Sequence, residues 1–217
     1  MKIILQNIGK RYNAEWIFRN LNYEFSSGNA YVILGANGSG KSTLLQVIAG
    51  NFLPSEGNIH YFENPDSKPE IEIESEQIFR CLTIASPYIE LPEEFTLKEA
   101  IIFHSKFKPM KFQSQQVIEL SGLQESQNKS LKYFSSGMKQ RVRLTLAILS
   151  DIPLLLLDEP ASNLDKKGID WYLKLINDYT KNKLVIICSN QQQYEYSFCN
   201  MELTVESYKP VLKFFNA

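Results

Sequence analysis

Between an apolar run, Tyr31-Val32-Ile33-Leu34, and a segment with helical spacing, Ser42 to Ala49, lies Gly35-Ala36-Asn37-Gly38-Ser39-Gly40-Lys41-Ser42-Thr43. The run reads as a buried strand and the segment as a helix, so the glycines span a strand-to-helix loop. That order points to an α/β core. Glycines at this spacing let backbone N–H groups converge on an anion without Cβ clashes. The pattern is G-x-x-x-x-G-K-S. In it the lysine places a charge near the β- and γ-phosphates of a nucleotide, and the serine hydroxyl ligates Mg²⁺. The phosphates sit at a helix N-terminus, where the dipole and unpaired N–H groups favour negative charge. The competing reading is a Gly-rich turn of no function, and the flanking strand and helix argue against it.

Two further blocks narrow the chemistry. Leu154-Leu155-Leu156-Leu157-Asp158-Glu159 is an apolar run ending in two carboxylates. Asp158 at the strand's end is placed to hold Mg²⁺ through water, and Glu159 to polarise an attacking water. Taken alone, the run reads equally well as a core strand with a chance acidic end. Just upstream, Phe134-Ser135-Ser136-Gly137-Met138-Lys139-Gln140-Arg141 opens a helix running toward Ser150. Its plain reading is a serine N-cap.

Pattern also gives the organisation. Ile3 to Ile8, Leu21 to Phe25 and Ile59 to Phe62 read as strands separated by turns. Asn64 to Glu76 is polar and acidic with Pro65 and Pro69, a surface loop. Thr96-Leu97-Lys98-Glu99 is a capping box opening a helix through Phe107. Ser114 to Leu120 is a second helix, with Gly122 near its C-cap. Leu154 to Leu157 and Leu184 to Cys188 are apolar enough for central parallel strands covered on both faces. A crossover helix, Lys167 to Thr180, separates them, with the right-handed connection expected. Met201 to Val205 and Val211 to Phe215 alternate like a final hairpin.

At 217 residues the chain buries one sizeable core. Its net charge of −1 offers no basic excess for nucleic acid. No apolar stretch reaches the roughly 20 residues of a membrane span, and the start of the chain is too weakly apolar for a signal peptide. The three cysteines form no C-x-x-C and read as inert thiols. His60 and His104 are isolated, and neither reads as a ligand.

Taken together, these blocks resemble the ATP-binding subunits of the ABC transporter family, in the family's order and over nearly the whole chain. Gly35 to Thr43 matches the Walker A loop and Leu154 to Glu159 Walker B. Phe134 to Met138 is a degenerate form of the signature loop, and Ser162-Asn163-Leu164-Asp165 is similar to the D-loop. The resemblance implies an α/β P-loop NTPase fold with a mixed sheet core, an antiparallel β-lobe and an inserted helical subdomain at about 87–149, the whole of 1–217 being one ATP-binding domain. It implies ATP and Mg²⁺ as cofactors, and an adenine stacked on Tyr12. Phosphate contacts fall on Gly35, Ala36, Asn37, Gly38, Ser39, Gly40, Lys41, Ser42 and Thr43. Metal contacts fall on Ser42 and Asp158, and catalytic roles on Glu159 and Lys41.

Three motifs depart from the family pattern. Asn190 stands where the family has its switch histidine, and it takes that place in the catalytic set. The glutamine of the Q-loop is replaced near Ser86 or Pro87. Ser136 and Met138 alter the signature. The first two bear on hydrolysis rate rather than on binding.

The resemblance further implies a two-fold dimer, homodimeric or pseudo-symmetric. Ser135 and Gly137 of one cassette there complete the nucleotide site of a second. It implies a multi-span membrane permease as partner, no nucleic acid, and a cytoplasmic place on the inner face of the membrane. Tyr88, Phe95, Phe103, Phe107 and Phe112 read either as core of the helical lobe or as a groove for a helix of that partner. A soluble ATPase of the same family is the alternative function, but the chain carries a single cassette with no heptad run and no basic tail.

Overall fold

The computed structural model describes residues 1–63 and 71–210. The chain opens with a long hairpin, β1 (Lys2–Tyr12) and β2 (Glu15–Ser26). It crosses to a second sheet at β3 (Ala30–Leu34), which feeds α1 (Lys41–Ile48) through the glycine loop. β4 (Glu56–Phe62) and β5 (Glu72–Ile73) return to the first sheet. Next come β6 (Leu82–Ala85) and three helices, α2 (Leu97–Ser105), α3 (Ser114–Ser121) and α4 (Ser136–Leu149). The chain closes on β7 (Leu154–Asp158), α5 (Lys166–Tyr179), β8 (Leu184–Ser189) and β9 (Met201–Thr204).

The two sheets keep separate characters. The first has the order β2-β1-β4-β5 and is antiparallel throughout. The second has the order β6-β7-β8-β3-β9, and every pairing in it is parallel. The antiparallel strands therefore form a lobe of their own beside a wholly parallel core. In β7 successive side chains point to opposite faces. Leu154 and Leu156 join the core that holds Leu44, Leu45 and the β1–β2 hairpin. Leu155 and Leu157 join the other core, with Ile148 of α4 and Tyr172 of α5. Both faces are covered, which is why this strand and β8 carry no polar alternation.

Local chemistry sets the helix ends. Thr96 Oγ1 accepts from the Glu99 N–H at 3.2 Å, and the Glu99 carboxylate accepts from the Thr96 N–H at 2.8 Å, the reciprocal pair of a capping box. Gly122 ends α3 at φ 68°, a left-handed position that costs glycine nothing. Asp165 caps α5 by accepting from the Gly168 N–H at 2.7 Å. The helical lobe has its own core, in which Leu97, Ile101, Val117, Ile118 and Leu131 are buried.

One expectation changes and another gains a pairing it lacked. β9 runs parallel to β3, with Tyr31 opposite Met201. Its supposed partner, Val211 to Phe215, lies outside the described residues. The polar loop expected at Asn64 to Glu76 does not persist to its end. Its first seven residues lie outside the described ones, but Glu72–Ile73 pairs with β4 and a 3-10 turn begins at Ser75. The five aromatics divide. Phe95 and Phe112 pack against the lobe core, while Tyr88, Phe103 and Phe107 remain exposed.

Candidate nucleotide site

β3, β7 and β8 are neighbours and parallel, with Leu34 opposite Ser189 and Asp158 opposite Cys188. Their carboxyl ends therefore meet at one edge of the sheet, and the loops beginning at Gly35, Glu159 and Asn190 gather there. That edge is where open α/β sheets bind ligands.

Gly40 occupies the position before α1 at φ 107°, and no side chain caps the helix. A Cβ on Gly40 would come within 2.3 Å of the Ile17 methyl, so the loop closes this tightly only with glycine there. The first N–H groups of an α-helix have no partner within it. Here they border a cleft of about 460 Å³ lined by Ile17, Asn37, Gly38, Gly40, Lys41, Ser42, Thr43, Tyr88 and Glu159. Lys41 is 5% exposed, and its ammonium donates to the Gly35 and Ala36 carbonyls at 2.9 and 3.0 Å. The Ala36 N–H donates to Glu206 Oε1 at 2.7 Å, which braces the start of the loop from β9's side.

Ser42 Oγ donates to Asp158 Oδ1 at 3.0 Å. Asp158 is 2% exposed, and burial pushes its carboxyl up from the ordinary value, opposed by the Ser42 bond; the Glu159 charge raises it further, while Lys41 and a bond from Ser86 lower it. A hydroxyl and a carboxylate oxygen at one point, beside a phosphate cradle, are the donors Mg²⁺ takes from a protein when phosphates and waters supply the rest. The residues present fit that ion. Glu159 follows directly at φ 44°, an uncommon backbone state for a residue with a Cβ. It lines this cleft and a second one shared with Asn163, Asn190, Gln192 and Glu195.

The structure thus brings Lys41, Ser42, Asp158 and Glu159 together, with Asn190 one cleft away. It does not bring Ser135 or Gly137 to them. Ser135 caps α4, accepting from the Met138 N–H at 3.2 Å, and the pair borders a separate hollow with Asn163, Leu164 and Asp165. Tyr12 does not line the nucleotide cleft either. Its ring lies 5.5 Å from the Lys10 ammonium. Three residues were not read from the sequence as part of the site. Ile17 and Tyr88 line the cleft, and Ser86, buried just after β6 in the region of the missing glutamine, lowers the Asp158 pKa. Ser86 carried a signal as the place of the missing glutamine, and Tyr88 as an aromatic beside it.

A family model described as ABC transporter matches residues 18–162, well over half of the chain. The chain belongs to the ABC transporter family. It is an ATP-binding, ATP-hydrolysing cassette of that family. It is 30% identical over 190 residues to ABC transporter I family member 1 of Arabidopsis thaliana, covering 86% of this chain and 80% of that one. It is 27% identical over 211 residues to the cytochrome c biogenesis ATP-binding export protein of Haemophilus influenzae, covering 96% and 97%. Among solved structures, an ATP-binding subunit of an ABC transporter superposes with a TM-score of 0.79 at 22% identity, covering 94% of this chain and 85% of the other. A dimeric cassette in a post-hydrolysis state with ADP and phosphate superposes at 0.76 and 20% identity, covering 94% and 95%. These superpositions establish the shared fold, with its parallel core and antiparallel lobe. Among the described residues no helix is long and apolar enough to cross a membrane.

Proposed function

We propose that this cassette binds Mg-ATP in the cleft at the start of α1 and hydrolyses it to drive a separate membrane-spanning partner. The observation that carries this reading is the convergence of Lys41, Ser42 and Glu159 on one cleft at the carboxyl edge of the parallel sheet, with Asp158 bonded to Ser42. Phosphoryl transfer to water asks the protein mainly for positioning and charge neutralisation. Lys41 turns from its two loop carbonyls to the β- and γ-phosphates, and the N–H groups opening α1 hold the remaining phosphate oxygens. Ser42 and Asp158 would hold Mg²⁺, which would supply positive charge beside the transferring phosphoryl group. Glu159 orients the attacking water and accepts its proton. Asn190 donates its amide to the γ-phosphate but cannot become cationic, so turnover is slow.

A second cassette completes the site. Ser135 and Gly137 stand at the start of α4, an anion-favouring helix end that no phosphate of the same chain reaches. A two-fold axis places that end over the partner's cleft and applies each contact twice. The membrane partner docks on the aromatic face of the helical lobe. There Phe103 stacks edge-on against both Phe95 and Phe107, and Phe107 is 70% exposed.

The test is phosphate release by the purified chain with and without Mg²⁺. Release should require the metal. Ser42→Ala should raise the Mg²⁺ concentration for half-maximal rate by roughly tenfold, the loss of about one ligand's worth of binding. A parent rate that persists in excess chelator would refute the assignment of Ser42 and Asp158.

A further inference from the structure

Two polar side chains outside the motif carboxylates are almost wholly buried beside Glu159. Gln140, near the start of α4, is 0% exposed, and Glu195, in the turn after β8, is 4% exposed. Buried polar groups are retained with their bonds made, so the partners tell what each holds. Both hold one peptide group. Gln140 Nε2 donates to the Pro160 carbonyl at 3.0 Å. The Ala161 N–H, the other end of that same peptide, donates to Glu195 Oε1 at 3.2 Å. The peptide is one residue beyond Glu159.

We infer that Gln140 and Glu195 are positioning residues that clamp the Pro160–Ala161 peptide from both ends and so aim the Glu159 carboxylate at its water. The inference rests on the reading of Glu159 given above. Glu159 stands at φ 44°, and such a backbone state persists only where its surroundings over-determine it. On the near side, the Glu159 N–H donates to the Cys188 carbonyl at 2.9 Å. On the far side stands the clamp. Glu195 is itself held firmly. Its other carboxylate oxygen accepts from the Ser189 hydroxyl, and its backbone carbonyl accepts from the Tyr172 hydroxyl at 3.0 Å. Gln140 Oε1 lies 3.5 Å from an Arg143 nitrogen, and Arg143 Nε donates to the Ile89 carbonyl at 2.6 Å. The aim of Glu159 thus depends on α4, on the loop after β6 and on the end of β8 together.

The experiment measures kcat and KM for ATP on the full chain, with a thermal melt of each variant. Glu195→Ala and Gln140→Met should each lower kcat by about tenfold or more with KM within about twofold, since a misaimed group near 1 Å out of place costs on this order. Gln140→Met fills the same space and serves as the probe if the alanine variant does not fold. Glu195→Gln keeps an acceptor for the Ala161 N–H and should recover most of the loss. In a Glu159→Gln background, Glu195→Ala should change the residual rate by less than about twofold, because a clamp acting through Glu159 has nothing left to aim. Parent-like kcat in Gln140→Met, or a full further loss in the Glu159→Gln background, would overturn the clamp. A Glu159→Gln chain that hydrolyses at the parent rate would instead overturn the role of Glu159, and the clamp with it.

Discussion

Lys41→Met removes the one cation whose ammonium lies within the phosphate loop, and keeps a side chain of similar volume. In the structure Nζ is held by the Gly35 and Ala36 carbonyls at 2.9 and 3.0 Å. A unit charge about 4 Å from a phosphate oxygen is worth roughly 4 kcal/mol at an effective dielectric of about 20. Reaching the phosphate means releasing both carbonyls, at about 1 kcal/mol net each. The remainder, about 2 kcal/mol, corresponds to a roughly thirtyfold weaker Kd for Mg-ATP. AMP lacks the β- and γ-phosphates, so its affinity should change by less than about twofold on the same arithmetic. Titration calorimetry with both nucleotides reads the two values directly. An unchanged Kd for Mg-ATP, or an equal loss for AMP, would refute the placement of Lys41.

Two further outcomes follow from single side chains. Asn190→His introduces a group that ionises near neutral pH, so steady-state phosphate release should rise and gain a pH dependence between about 6 and 7.5; a flat difference profile would remove Asn190 from the site. His104 lies in the helical lobe with Nε2 2.9 Å from Ser150 Oγ, and burial, aided by the Lys108 charge, holds its pKa down at about 4 against an ordinary 6.5. Between those values the unfolded chain takes up a proton that the folded chain refuses. The unfolding free energy should therefore fall as pH drops from about 6.5 to about 4, by up to roughly 3 kcal/mol. His104→Gln should flatten that part of the profile in urea titrations, and parallel profiles for the two proteins would contradict it.

Elements whose cause is local were legible before any coordinates. The glycine loop, the apolar runs of β7 and β8, the capping box at Thr96 and the Gly122 cap each write their structure within a few residues. The carboxylates at the end of β7 were legible because they stand at the tip of a buried strand. What stayed hidden depends on distant partners. The pairing of β9 with β3 joins residues far apart in the chain, and alternation alone said nothing about which strand lies alongside. Gln140 and Glu195 belong to this class, since both bond a backbone peptide in another segment. Ser86 was noted as a departure, but its influence on Asp158 appears only once β6 lies beside β7. Tyr12 illustrates the reverse case, a residue placed in the site by resemblance that does not line the cleft.

In the proposed function Glu159 activates water in a site two cassettes share. Glu159→Gln keeps the side chain's shape and its hydrogen bonding but removes the base. Light scattering with Mg-ATP, alongside phosphate release on the same samples, tests both parts at once. The variant should form a stable dimer with Mg-ATP and not with ADP, and hydrolyse more slowly by on the order of 10²-fold. A variant that stays monomeric in saturating Mg-ATP, or one that hydrolyses at the parent rate, would contradict it.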